Sequence, residues 1–130
     1  MKIEEQVLSI EQMKRLQELG VDTSDASMCW LDFEDNEPME VAVFIPEVML
    51  GYATCEIYPT YTIGDLIEKL PIRIGSVNRK IYFTGKYIIV SYSSPDGSLI
   101  EYRGTTLLCL LYSLLCWVAE THKELLEVKK

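Results

Sequence analysis

Four cysteines and a single histidine are the residues of this 130-residue chain with the most distinctive chemistry. A structural zinc site needs four closely placed ligands, usually with a CxxC pair, and the sequence has no such pair. Cys109 and Cys116 stand two turns apart on one predicted helix, whereas His122 falls on a different face of it. A contact of His122 with Cys29 or Cys55 is an alternative that the sequence does not exclude. We interpret the thiols as small core residues and predict neither metal nor cofactor.

Acidic residues are the next candidates, because paired carboxylates can hydrolyse substrates or bind cations. The stretch from Asp22 to Glu47 holds eight acids and no Lys or Arg. An EF-hand loop would need acids at alternate positions, Gly at the sixth and Glu at the twelfth, and that pattern is missing. A solvated acidic loop is therefore the preferred interpretation. A possible interaction surface is predicted at Asp32, Glu34, Asp35, Glu37 and Trp117.

Four tyrosines lie on the predicted meander with Lys80, Lys86 and Arg103 nearby: Tyr82, Tyr87, Tyr92 and Tyr102. Aromatic side chains with basic neighbours on a sheet are typical of platforms for single-stranded nucleic acid. Tyrosine also simply favours strands, and the predicted pairing directs Tyr92 and Tyr102 toward the core. The net charge of −8 argues against nucleic acid and against anionic membranes as partners.

Three helices are predicted to support these residues. Ser9 and Gln12 form a capping box before a helix over Ile10–Leu19, with Gly20 at its end. A second helix follows Thr62 and stops before Pro71. The third, from about Leu107 to about His122, is apolar almost all round, and its apolar run Leu107–Ala119 is shorter than the ~20 residues that span a bilayer.

Alternating apolar residues predict strands at Met28–Phe33 and Glu40–Ile45. A β-meander is predicted over Lys80–Arg103, where Pro95-Asp96-Gly97 fits a type I turn with Gly97 as the residue of a G1 bulge. On one face the predicted cross-strand pairs are Ser94–Ser98, Tyr92–Ile100 and Val90–Tyr102, and on the other Ser91–Glu101 and Ile89–Arg103.

These elements predict one α+β domain over residues 1–130, with an antiparallel meander of three or more strands, a long apolar C-terminal helix and two shorter helices. Hydrophobic content of 48% is enough for a core. The charged stretch Met1–Gln6 does not resemble a signal peptide, so we expect a cytoplasmic protein with free, buried thiols. Charge is uneven: Asp22–Glu47 is acidic, and Arg73–Arg103 is mildly basic.

Three segments carry a resemblance: EQVLSIEQMKRLQELGVDTSDASMCW at 5–30, YTIGDLIEKLP at 61–71 and LCWVAE at 115–120. They resemble small uncharacterised proteins of gut Bacteroidetes, often in phage or mobile-element surroundings. The resemblance covers about half of the chain, and its motifs concern the fold. It implies a bacterial or phage cytoplasmic accessory protein and supplies no catalytic residues.

The leading functional hypothesis is a non-enzymatic protein-interaction module that binds a protein partner or itself, as a homodimer. Its support is the charge distribution and the apolar excess on the last helix, which exceeds what one small sheet face covers. One alternative is an acidic decoy that inhibits a basic, nucleic-acid-binding protein. The other is an uncharacterised enzyme that uses Asp, Glu or Cys chemistry.

Overall fold

The structure is a computed structural model, and it describes residues 2–33, 39–45 and 55–126. Its contacts divide the chain into two compact units, Met1–Asp65 and Leu66–Lys130, which we call the first and second units and describe separately. The predicted α+β class is confirmed, with three α-helices and two antiparallel sheets among the described residues. The organisation of 1–130 as a single domain stays a prediction.

Helix α1 of the first unit spans Ile10–Glu18 and is held at both ends by local signals. The Ser9 Oγ accepts from the Gln12 N–H at 3.1 Å, and the Gln12 side chain accepts from the Ser9 N–H at 2.9 Å. At the other end Gly20 takes φ +89°, and the Val21 N–H donates to the Leu16 carbonyl. These bonds confirm the predicted capping box and glycine stop, because they satisfy groups that the helix leaves open.

The first unit builds its sheet from β1 (Met28–Phe33), β2 (Glu40–Val43) and β3 (Cys55–Thr60), in the order β2-β1-β3. Both predicted strands are present and pair antiparallel with each other, although β2 ends two residues before Ile45. The sequence did not predict β3, which pairs antiparallel with all six residues of β1. A short 3-10 helix, Ile3–Glu5, precedes α1.

Helix α2 spans Ile63–Lys69, and the boundary between the units falls within it. Thr62 Oγ1 accepts from the Asp65 N–H at 3.1 Å, while Asp65 Oδ2 accepts from the Thr62 N–H at 3.0 Å. The predicted cap is therefore confirmed, and Asp65 proves to be its reciprocal partner. At the C-terminal end Arg79 Nη1 donates to the Ile67 and Leu70 carbonyls, which are open groups of the last turn.

The second unit contains the predicted meander as a four-stranded antiparallel sheet in sequential order. The predicted pairs from Ile89–Arg103 to Tyr92–Ile100 are confirmed, but Ser98 lies opposite Ser93 rather than Ser94. The extra residue is Leu99, because Ser94 pairs directly with Gly97, which takes φ +144°. The bulge predicted at Gly97 is thus corrected to Leu99. The strands are β4 (Arg73–Ile74), β5 (Val77–Phe83), β6 (Ile88–Ser94) and β7 (Gly97–Gly104).

Helix α3, Leu107–Thr121, packs on β6 and β7 and is followed by a 3-10 helix, Lys123–Leu126. Its two ends lack the local signals of α1, because the N-cap Thr106 makes no side-chain capping bond. Most of its apolar side chains are buried within the chain, so the argument for a dimer from uncovered α3 surface loses its basis. The buried residues are Leu108, Leu110, Leu111, Leu114, Leu115, Val118 and Ala119.

Candidate functional site

The predicted interaction surface is divided between the two units. Asp32 lies half-buried on β1 of the first unit, and Trp117 lies half-buried on α3 of the second. No single unit therefore holds both residues. The Trp117 ring stacks on Tyr92 at 6.3 Å between centroids and contacts the His122 ring at 5.3 Å. The remaining acids of that surface, Glu34, Asp35 and Glu37, lie outside the described residues.

Asp32 faces a second carboxylate across the sheet, since it pairs with Glu56 of β3. The Tyr58 hydroxyl donates to Glu56. This hydrogen bond, followed by burial and by the charges of Glu56 and Asp32, raises the pKa of Tyr58. Glu56 is exposed, so the pair is an acidic spot on the surface of the first unit.

A buried tyrosine organises the polar interior of the first unit. The Tyr61 hydroxyl donates to Asp25 Oδ1 at 2.6 Å and lies 2.9 Å from the Asp22 carbonyl oxygen, its other acceptor. Burial and the hydrogen bond to Asp25 raise the pKa of Tyr61 far above its ordinary value. A phenol held so firmly in its protonated form is a structural anchor for the loop at Asp22–Asp25 and is unsuited to proton transfer near neutral pH.

Two cavities of the first unit are candidates for substrate pockets. The larger holds about 320 Å³ and is lined by no ionisable side chain: its walls are Ile3, Gln6, Val7, Met28, Thr62, Ile63 and Gly64. The smaller holds about 160 Å³ between α1 and β3, with Lys14 and Tyr58 on its rim. Neither cavity joins a nucleophile to a base, which covalent or acid–base catalysis requires.

The cysteines lie in different environments, and the prediction that all four are buried is wrong for Cys109. All four are described, and none forms a disulfide. Cys29 is buried, and burial, then Cys55, raises the pKa of its thiol. Cys109 is exposed on α3, whereas Cys55 and Cys116 are half-buried. Within 2–33, 39–45 and 55–126 no three His, Cys, Asp or Glu side chains are placed to hold a metal ion.

An exposed group of aromatic side chains stands at the β5–β6 turn of the second unit. Tyr82, Phe83 and Tyr87, which we call the aromatic tip, are 43%, 68% and 46% exposed. The turn that carries them is tightly closed: the Thr84 N–H donates to the Tyr87 carbonyl at 2.8 Å, and the Tyr87 N–H donates to Thr84 Oγ1 at 3.0 Å. The tip is therefore a hydrogen-bonded hairpin end that presents apolar surface to solvent.

The chain around the aromatic tip is basic. Lys86 lies in the turn itself, and Lys80 is exposed two residues before Tyr82. Arg103 pairs with Ile89, which in turn pairs with Tyr82, so these three share one sheet face. The second unit as a whole holds nine basic and six acidic residues, a net charge of +3, whereas the first holds three basic and fourteen acidic, a net charge of −11.

Sequence reasoning found part of the aromatic tip and missed its most exposed member. It singled out Tyr82 and Tyr87 as aromatics with basic neighbours, and it correctly turned Tyr92 and Tyr102 toward the core, where they are buried and half-buried. Phe83 was not singled out. The available signal was its place directly before the Thr84-Gly85-Lys86 turn, because the end of a hairpin is the part of a sheet least able to bury a side chain.

Comparison with known proteins identifies no relative of this chain. No protein-family model, no curated protein and no solved structure gives a significant match to this chain. Among the described residues no helix has both the length and the apolar character needed to cross a membrane.

Proposed function

We propose that this chain is a non-enzymatic protein-interaction module that binds an acidic protein partner through the aromatic tip. The observation that carries the proposal is the exposure of Tyr82, Phe83 and Tyr87 on one ordered hairpin end. Tyr, Phe and Arg are enriched where proteins bind one another, and aromatic anchors contribute much of the binding energy. The hairpin is already closed by hydrogen bonds, so binding would order little additional backbone.

The charge of the surroundings selects the kind of partner. Lys80 and Lys86 flank the aromatic tip, and the second unit has a net charge of +3. A complementary acidic surface would be attracted, whereas a basic one would be repelled. In line with the resemblance at 5–30, 61–71 and 115–120, we propose that this module is a cytoplasmic accessory protein encoded by a bacterium or by its phage.

Site-specific photocrosslinking tests this proposal. A photoreactive amino acid replaces Tyr87 in one variant and Leu125 in another, because Leu125 is also an exposed apolar residue of the second unit. We expect a crosslinked acidic protein from the Tyr87 position and none from the Leu125 position. With that partner purified, Phe83→Ser should weaken binding by about tenfold or more, as expected for an anchor residue. Leu125→Ser should leave binding unchanged.

Equal crosslinking from both positions, or equal affinity of the Phe83→Ser and Leu125→Ser variants, would remove the aromatic tip as the binding surface. Circular dichroism of each variant controls for folding. Phe83 and Leu125 are both exposed, so neither substitution opens a cavity in the core.

The charge of the first unit favours a second candidate, the acidic decoy. Its net charge of −11 resides in a segment of 65 residues. Such a surface would capture a basic, nucleic-acid-binding protein with an affinity that falls steeply as salt is raised. Binding of a purified basic DNA-binding protein, measured at low and at high salt, separates the candidates, because the decoy requires capture that Phe83→Ser does not change.

A further inference from the structure

The outer edge of β7 is an open strand edge. β7 is the last strand of the order β4-β5-β6-β7, and no strand in the described parts of the chain pairs with its other side. It has eight residues and no proline. Proteins usually protect such an edge with prolines, bulges or charges. Here the bulge at Leu99 disturbs only the first half, so Ile100–Gly104 remains a regular run.

Strand geometry restricts how a second copy could pair with this edge. In an antiparallel strand the N–H and C=O of one residue point to the same edge, and neighbouring residues alternate. A two-fold axis must therefore pass through a residue that lies opposite its own copy. Within Ile100–Gly104, the axis that pairs the most residues of the two strands passes through Tyr102. Ile100 then lies opposite the partner's Gly104, and Glu101 lies opposite the partner's Arg103.

The charges of β7 favour this register over its neighbours. Glu101 and Arg103 are exposed on one face of the sheet, and Arg103 Nη2 lies 3.1 Å from Glu101 Oε2. With the axis at Tyr102, each Glu101 stands opposite the partner's Arg103, and the four charges alternate in sign. An axis at Glu101 or at Arg103 would instead place like charges directly opposite each other, which is destabilising.

Helix α3 packs on β7 beside the axis residue Tyr102. Burial, and then Glu120 and Cys116, raise the pKa of the Tyr102 hydroxyl, so these α3 residues lie next to the strand.

From the unpaired edge and the alternating charges we infer that two copies of this chain join through β7, with the axis at Tyr102, to form one continuous eight-stranded sheet. The partner that fits this edge is a second copy, because the sequence of β7 is complementary to itself in this register. The contact is a short one, so the dimer forms at micromolar or higher concentration. The inference goes beyond the proposed function, since β7 and the aromatic tip are different surfaces.

Complementary charge reversals test the register directly. Glu101→Arg and Arg103→Glu each place like charges across the axis, so each variant alone should dimerise at least about tenfold more weakly than the natural chain. Mixed together, the two variants should associate with each other, because every cross-axis pair is then again of opposite sign. The double variant Glu101→Arg/Arg103→Glu should dimerise as the natural chain does. Sedimentation velocity over a concentration series measures all four samples.

The controls separate this inference from a folding effect and from the proposed function. Lys80→Glu reverses a charge on the same sheet face but on β5, and it should leave dimerisation unchanged. Phe83→Ser tests the aromatic tip and should also leave dimerisation unchanged. A natural chain that stays monomeric at every concentration overturns the inference, as does a mixture of the two single variants that does not associate. Neither result bears on crosslinking at Tyr87.

Discussion

The two units both pack a helix against an antiparallel sheet, but they hold that helix in different ways. Helix α1 of the first unit has a complete capping box and glycine stop, and it buries only Met13 and Leu16. Helix α3 of the second unit has no side-chain cap at Thr106 and no charge that favours its dipole in either end turn, yet it buries seven residues. Local hydrogen bonds thus define the first helix, whereas tertiary packing defines the second.

The two units also differ in net charge. The first unit, with a net charge of −11, uses acidic side chains within its own structure, where Asp25 accepts from Tyr61 and Asp65 closes the cap of α2. In the second, where the net charge is +3, Arg79 caps α2, and Lys80 and Lys86 are exposed beside the aromatic tip. A difference in helix support and a difference in charge can each be tested by paired substitutions, one in each unit.

The largest effect is expected from the cores. Leu114→Ala in α3 and Leu16→Ala in α1 each remove a fully buried side chain, and each should lower the free energy of unfolding by about 3 kcal/mol. Hydrogen exchange measured by mass spectrometry then shows how far each loss spreads. If 1–130 is a single cooperative domain, Leu114→Ala will reduce protection in both units. Loss of protection confined to 66–130 would show instead that the units unfold separately.

A smaller effect is expected from the two buried tyrosine hydroxyls. Tyr61 donates to Asp25 in the first unit, and Tyr92 donates to the Pro71 carbonyl at 2.7 Å in the second. Phenylalanine at position 61 should cost about 2 kcal/mol, because the acceptor is charged, and at position 92 about 1 kcal/mol. Urea unfolding of each variant at neutral pH gives these values. Equal costs would mean that the charge of Asp25 contributes nothing.

The same tyrosines predict how stability depends on alkaline pH. Both pKa values are raised above the ordinary 10.0, chiefly by burial. The folded state therefore keeps protons that the unfolded state releases, so this stability is complete below about pH 10 and declines as the pH rises through it. Nearby carboxylates add to the shift at Tyr61, whereas Arg79 reduces it at Tyr92. Tyr61→Phe should consequently flatten the alkaline decline more than Tyr92→Phe does.

The smallest effect is expected at the helix N-termini. Ser9→Ala removes the Oγ that accepts from the Gln12 N–H, whereas the bond from the Ser9 backbone N–H to the Gln12 side chain can remain, and the substitution should cost about 1 kcal/mol. Thr106→Ala removes a side chain that makes no capping bond, and it should cost less than about 0.5 kcal/mol. Thermal or urea unfolding measures both. Similar costs for the two substitutions would contradict the contrast between the helices.

The sequence predicted the secondary structure better than it predicted the candidate surfaces. Alternation and turn residues predicted that Tyr92 pairs with Ile100 and faces the core. They did not predict that Phe83 is exposed, because exposure depends on which elements cover a strand end. β3 was not predicted, and its Pro59 is a residue that argues against a strand. In the structure Pro59 lies on an edge strand opposite Cys29, where a missing N–H is tolerated.

The sequence by itself determined the features that depend on residues close together along the chain. These are the caps at Ser9 and Thr62, the glycine stop at Gly20 and most of the hairpin register. Only the tertiary structure decided how the strands divide into two sheets, that Leu99 is the bulge residue, that α3 is covered within the chain, and that no described strand pairs with the outer edge of β7. Burial and strand order depend on contacts between distant residues, and a one-dimensional pattern constrains such contacts only weakly.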